Sequence, residues 1–522
     1  MKLLTLFHQN AIPGSVARNY KLVDSPPLMG GADCRCSISY SQPEGWNKQE
    51  SPPPLSSPIK GEERVGQLNV VSREETSGGF TFFIIITSFL LLSILFIGPL
   101  SLHASVLPVG KGLDYSTIGA ALTEAKDGDV IEVRGGDYHE SLIIGKRITL
   151  RGVNHPVIKI EKGRIIEVTG PGVTVEGFTL GYDSPNLSPT DTAIFISKDA
   201  VGTAIRNNRL LNVMFGVWNV EGRDIRIENN TIEGLGGLSR NARGNCINLT
   251  GSQRVNIENN TLSSCRDGIY MELCPDARVV GNEIENSRYA VHTMWVDRGV
   301  FNQNKAHDNL VGLAIMYTKY SEINDNLSYG NSTHGILFIQ AIRSEIKSNT
   351  VIGNTKGIFL YNSILNEIHS NLVMNNQLGL HSWGGSEDNK INGNSFISNE
   401  LQVKYVASRN QEWNKNYWSD YVGWDMTGDG IGDYPYESNS VVDYIFWNYP
   451  LAKVLYTSPA LQMLWVLEKQ FPLFKIPRVV DHKPLISPLH GNWMELRDKY
   501  PHVPKRFYGE IEKLPHVPGG TR

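Results

Sequence analysis

RVVGNEIENSRYAVHTMWVDRGVFNQN, residues 278–304, decides the fold. It carries the same device twice, an asparagine preceded three residues earlier by an apolar residue: Val279 before Asn282, and Phe301 before Asn304. Working outward, the device recurs at Asn208, Asn230, Asn260, Asn326, Asn349, Asn371, Asn394 and Asn416, in steps of 22 or 23 residues apart from one longer step. A second marker, at Gly268, Ala290, Gly312, Gly335, Gly357 and Gly379, keeps the same step and precedes alternating apolar residues. Alternation with period two means strand, and a short fixed period with repeated turn signals means coils that pair only with their neighbours. The pattern predicts an all-β, right-handed parallel β-helix. Its asparagines are expected to stack as a ladder, since Asn tolerates the left-handed backbone of a tight turn and a stack of them hydrogen-bonds from coil to coil.

The ends of such a solenoid need covering, because open strand edges and an apolar end invite association. DYSTIGAALTEAKDGDVIEV predicts a short helix from Ser116 to about Ala125 and then a strand, an N-terminal cap. Upstream, Phe80–Leu102 holds no charged residue and is long enough to cross a bilayer. With Arg64 and Arg73 before it, Gly98 and Pro99 near its end and Ala104 after it, residues 80–104 predict export by a signal peptide in preference to a retained anchor. Residues 1–79 are rich in Pro and Ser without periodicity and predict a disordered extension or an over-extended start. The β-helix is expected over 105–416, a C-terminal segment over 417–488 and a tail over 489–522.

With 49 Lys+Arg against 53 Asp+Glu, no global basic field argues for nucleic acid as a partner. Beyond residue 104 only Cys246, Cys265 and Cys274 remain, too few for a disulfide framework; they are expected as buried inert thiols, with a Cys265–Cys274 bridge the alternative.

In the strand after the second marker, positions one and three are apolar, as in Ile269, Val291, Leu313, Ile336 and Leu380, and should point inward. Positions two and four should face outward: Tyr270, Glu272, His292, Met294, Ala314, Met316, Leu337, Ile339, Phe359, Tyr361, His381 and Trp383. An outward row this apolar marks a binding surface, with Tyr270, Tyr361, His381 and Trp383 as contact residues. Met294 and Met316 should lie about 4.8 Å apart on adjacent coils, with His292 beside them. Thioether and imidazole together suit Cu(I), although methionines also fill gaps under a covering segment.

After the last coil, Asp425, Thr427, Asp429, Ile431 and Asp433 match positions 1, 3, 5, 7 and 9 of a calcium loop, but Tyr436 stands where the bidentate Glu belongs. Calcium and a turn held by Asx hydrogen bonds are both open. Ser458 and Pro459 start a helix whose apolar face is Leu461, Leu464, Trp465 and Leu467, for packing on the solenoid or for docking to a partner.

NYWSDYVGWDMTGDGIGDYPY, FWNYPLAKVLYTSPALQMLWVLEKQFP and VVDHKPLISP, with RYAVHTMW, VGLAIMYTK and the cap sequence, resemble the NosD family over about residues 106 to 488. The resemblance implies a periplasmic, non-enzymatic accessory protein of nitrous oxide reductase maturation. Its implied partners are the membrane subunit of an ABC transporter, a copper chaperone and the reductase. The rival from the residues alone is a polysaccharide lyase or epimerase, since β-helices often bind sugars along a strand face; fold is weak evidence for function, and the outward row offers Glu272 and His292 but no clustered Asp, Arg and Lys. A structural adhesin is the third reading, and it predicts neither metal nor transporter.

Overall fold

The computed structural model describes residues 104–438, 442, 445, 449–455, 458–470 and 479–500. The extension 1–79 and nearly all of the apolar segment 80–104 therefore lie outside the described residues. Among the described residues no helix is long and apolar enough to cross a membrane.

Three parallel sheets of 14, 12 and 13 strands run the length of a β-helix. One coil passes from Asp267–Glu272 in the second sheet to Arg278–Val280 in the first and Glu283–Glu285 in the third, returning to the second at Tyr289–Met294. Each strand pairs in register with its counterpart one coil away, for instance Ile269 with Val291 and Val291 with Leu313. The residues expected inside are there: Ile269, Val291, Leu313, Ile336, Phe338, Ile358 and Leu380 are fully buried. Apolar residues from all three sheets thus form one continuous core, whose burial is the main favourable contribution to stability.

The marker glycines are required by close approach. A Cβ on Gly357 would lie 2.5 Å from the Gly379 carbonyl oxygen of the next coil. A Cβ on Gly268 would sit 2.4 Å from the Ile284 side chain, inside the core. The glycine and the residue after it therefore both face inward, and strict alternation begins only beyond them.

The asparagine ladder is continuous from Asn208 to Asn416, each member buried. Asn304 represents it: its Nδ2 donates to Asn326 Oδ1 (3.1 Å) and to the Val279 carbonyl (2.9 Å), and its backbone N–H donates to Asn326 Oδ1 (2.9 Å). Its own Oδ1 accepts from the N–H and Nδ2 of Asn282. The left-handed backbone that Asn tolerates is not used by the ladder residues: the positive φ falls one residue earlier, at Asn207, Asn229, Asn259, Gln303, Asp325, Ser348, Ser370 and Lys415. Their predecessors make the sharp reversal, so the ladder amides keep an ordinary backbone and point inward. A second ladder, Asn309, Asn331, Asn354, Asn376 and Asn399, runs at the next turn five residues on.

The cap helix is Ile118–Glu124, shorter than expected. Thr117 is its N-cap, and Glu140 accepts from the N–H groups of Ile118 and Gly119. The expected sulfur chemistry is also corrected: Cys246 and Cys265 form a disulfide, and Cys274 is buried and free. A stretch of 19 residues, nearly one coil, returns Cys265 to Cys246, with their Cα atoms 5.6 Å apart. The six-residue strand Asp267–Glu272 holds Cys274 roughly 20 Å away along the chain direction.

At the other end, Tyr436–Ser438 pairs antiparallel with Val479–Asp481. Tyr436 stacks on Trp418, which stacks on Phe396. Asp481 completes the ladder, accepting from the N–H and Nδ2 of Asn416, the N–H of Lys415 and Nε1 of Trp418. Beyond it, in the predicted tail, helix Trp493–Lys499 and Tyr500 pack on Ile352, Leu372, Met374 and Ile397 of the third sheet.

Candidate functional site

The strands of the second sheet raise a band of side chains on their outer face. Apart from the main core, Val311, Ala314, Leu337 and Phe359 form a second buried cluster there, joined by Tyr289, Leu310, Met316, Ile339 and Tyr361. Inward and outward rows are therefore both apolar, the pattern expected of a strand covered on two sides.

Met294 and Met316 are register partners on adjacent strands, as are His292 and Ala314. Both methionines are half-buried on the outer face, and Met316 packs in the outer cluster. His292 is 9% exposed and lies between Tyr270 and Tyr289, with ring centroids 5.1 and 4.6 Å away. Its Nδ1 is 3.0 Å from Oδ2 of the fully buried Asp267. Arg288 makes a bidentate pair with the same carboxylate at 2.9 and 2.7 Å. Burial alone would raise the Asp267 carboxyl, but the hydrogen bond from His292 and the charge of Arg288 outweigh it and hold it down to about 2. An ionised carboxylate only accepts, so Nδ1 of His292 is the donor in this hydrogen bond.

This arrangement fits Cu(I) by the chemistry of its donors. Two thioethers and one imidazole are soft or borderline ligands, and a carboxylate behind the imidazole orients it. Sequence reading missed Asp267 and Arg288 because they lie just before the second marker, where two consecutive inward-facing residues break the alternation.

The predicted contact residues separate. Tyr270 is half-buried and its hydroxyl donates to Glu272 at 3.0 Å. Tyr361 and Trp383 are neighbours in register, with Trp383 38% exposed. His381 is 8% exposed, wedged against Phe359 and stacked on Trp383. In helix Pro459–Gln470, Leu461 and Leu464 are half-buried, whereas Met463, Val466 and Leu467 are exposed; the Trp465 side chain lies outside the described residues.

The Asp/Gly loop closes on itself. Asp425 accepts from Gly428, Gly430 and Thr427, Asp429 from Ile431, and Asp433 from Met426. The amide of Gly430 is the main reason the Asp425 carboxyl lies below the usual carboxylate range. The loop carboxylates accept from the loop's own amides. Among the described residues the one group of three His, Cys, Asp or Glu donors within 4.8 Å of one another is Glu285, His307 and Asp308, on the third sheet.

A family model described as "Periplasmic copper-binding protein (NosD)" matches residues 228–423, which include the whole outward band. A Stutzerimonas stutzeri protein named "Probable ABC transporter binding protein NosD" is 36% identical over 372 residues, 67% of this chain and 85% of its own. A Pseudomonas aeruginosa protein of the same name is 35% identical over 406 residues, 72% of this chain and 95% of its own. Among solved structures, the A-module of the Azotobacter vinelandii mannuronan C-5 epimerase AlgE6 is 12% identical, with a TM-score of 0.42 over 56% of this chain and 92% of its own. The catalytic domain of a GH87 α-1,3-glucanase in complex with nigerose is 12% identical, with a TM-score of 0.44 over 60% of this chain and 69% of its own.

Proposed function

The chain belongs to the NosD family, and from that premise we propose that it is an exported accessory protein that carries Cu(I) on its outward strand band during maturation of nitrous oxide reductase. One observation carries the reading: Met294 and Met316 are register partners, with His292 on the same face and its Nδ1 held by Asp267. His292, Met294 and Met316 would hold the ion, and Asp267 with Arg288 would orient the imidazole. The cargo enters as a soft monovalent cation and leaves by ligand exchange. Thioethers are weak neutral donors, suited to a site that must release what it binds.

The names of both relatives support association with an ABC transporter. We assign the contact to its membrane subunit, through Leu461, Leu464 and Trp465 of the C-terminal helix. Tyr270, Tyr361, His381 and Trp383 would contact a copper chaperone or the reductase at the band. We assign no covalent chemistry, because the polar groups of the methionine region are already tied: Glu272 to the Tyr270 hydroxyl, and His292 to Asp267.

The test is genetic. In a strain lacking the gene, the wild-type chain should restore copper centres to the reductase, whereas a chain bearing His292→Ala, Met294→Leu and Met316→Leu should leave the reductase copper-poor. Full loading by the triple variant at equal abundance would refute the site.

A further inference from the structure

Toward its C-terminal coils the outward band changes character. His334 and Lys356 are register partners, and so are Phe359 and His381, followed by Lys404. The ring of Phe359 is a floor common to three of them. His334 and His381 meet it edge-on at 5.2 and 5.0 Å, and Lys356 Nζ lies 4.9 Å from its centroid.

Three of the ring nitrogens above this floor are buried without partners among the described residues. Neither ring nitrogen of His334 has a hydrogen bond, nor does Nδ1 of His381. Buried polar groups are normally satisfied, so orphans gathered in one place point to a missing partner. Burial, then the charge of Lys356, pushes His334 down to about 3. Burial, then Lys356, Lys404 and His334, pushes His381 down to about 2. Lys356 is itself lowered by burial and then by Lys404. None of the interactions shifting these three groups comes from a carboxylate.

A neutral imidazole offers one N–H, and an ammonium offers three donors and a charge. Two imidazoles and a lysine over an aromatic floor therefore make a donor set for an anion, while a metal cation would be repelled by Lys356. We propose that His334, Lys356 and His381 form a receptor for an oxyanion, a function separate from the copper donors at Met294 and Met316 and independent of them. A carboxylate side chain of a docked protein and a free tetrahedral anion share this chemistry.

The full exported chain, labelled with ¹⁵N in its imidazole rings, is titrated with sodium acetate and with sodium sulfate, against sodium chloride at matched ionic strength. Saturable shifts of the His334 and His381 ring nitrogens are expected with at least one oxyanion, together with a rise in the apparent pKa of both rings. A response to acetate alone assigns the site to carboxylates, and a response to sulfate assigns it to tetrahedral anions. Lys356→Gln should weaken binding about tenfold or more, and Lys356→Arg should retain it. Shifts no larger than those of chloride, or unchanged binding in a folded Lys356→Gln chain, would overturn the proposal.

Discussion

The asparagine turn and the outward band are built by the same period and use it in opposite ways. At the turn every coil presents the same residue, and each donor and acceptor of Asn304 finds its mate one coil away. On the band every coil presents something different: Tyr270, His292, Ala314, Leu337, Phe359, His381 and Lys404 succeed one another along a single row. Where the repeat is kept it stabilises the stack, and where it is broken in register it places unlike groups side by side. Substitutions in the turn should therefore lower stability without selecting a ligand, and substitutions in the band should do the reverse.

The largest effect is expected from Asn304→Ala. It leaves the N–H and Nδ2 of Asn282 without their shared acceptor inside a buried turn, at about 1–3 kcal/mol for each orphaned donor, so about 2–6 kcal/mol in all. Denaturant unfolding should show it, with Cu(I) affinity of the folded fraction unchanged. Asp481→Ala should follow at about 2–3 kcal/mol, because the last ladder member loses its acceptor. Asp481→Asn, which prolongs the ladder with an amide oxygen, should recover much of that loss; equal damage from both would show that the carboxylate serves some other purpose.

A third effect separates the C-terminal end of the band by pH. His334 and His381 have folded pKa values well below the unfolded value near 6.5, so the unfolded chain takes up protons first. Stability should fall as pH drops from about 6.5 toward 3. Replacing both imidazoles by Leu should flatten that stretch of the profile; an unchanged slope would place the titration elsewhere. The smallest stability effect belongs to Met294→Leu with Met316→Leu, swaps that conserve volume and should cost under about 1.5 kcal/mol.

Most of the architecture was legible because the core writes itself into the chain every 22 or 23 residues. Both faces of the wide strands followed from two-residue alternation, which also brought Met294 and Met316 together. Misplacement came where position in the period was right but local backbone was not: the turn asparagines sit beside the left-handed residue and do not occupy it. The second ladder was available as an Asn five residues after the first, at Asn309, Asn331, Asn354, Asn376 and Asn399, but only the first was read. Asp267 behind His292 carried no periodic signal. Its partners, Arg288 and His292, come from the next coil, 21 and 25 residues away. The disulfide is a related case, since coil stacking brings Cys246 and Cys265 together and the spacing of the cysteines carries no sign of it.

The comparison is tested most directly by Cu(I) affinity of the purified chain, measured by competition with a chromophoric chelator under anaerobic conditions. The wild type and Asn304→Ala, while folded, should bind alike, whereas the chain carrying His292→Ala, Met294→Leu and Met316→Leu should lose affinity by an order of magnitude or more with its unfolding midpoint nearly kept. Equal Cu(I) affinity in the triple variant and the wild type would contradict the account.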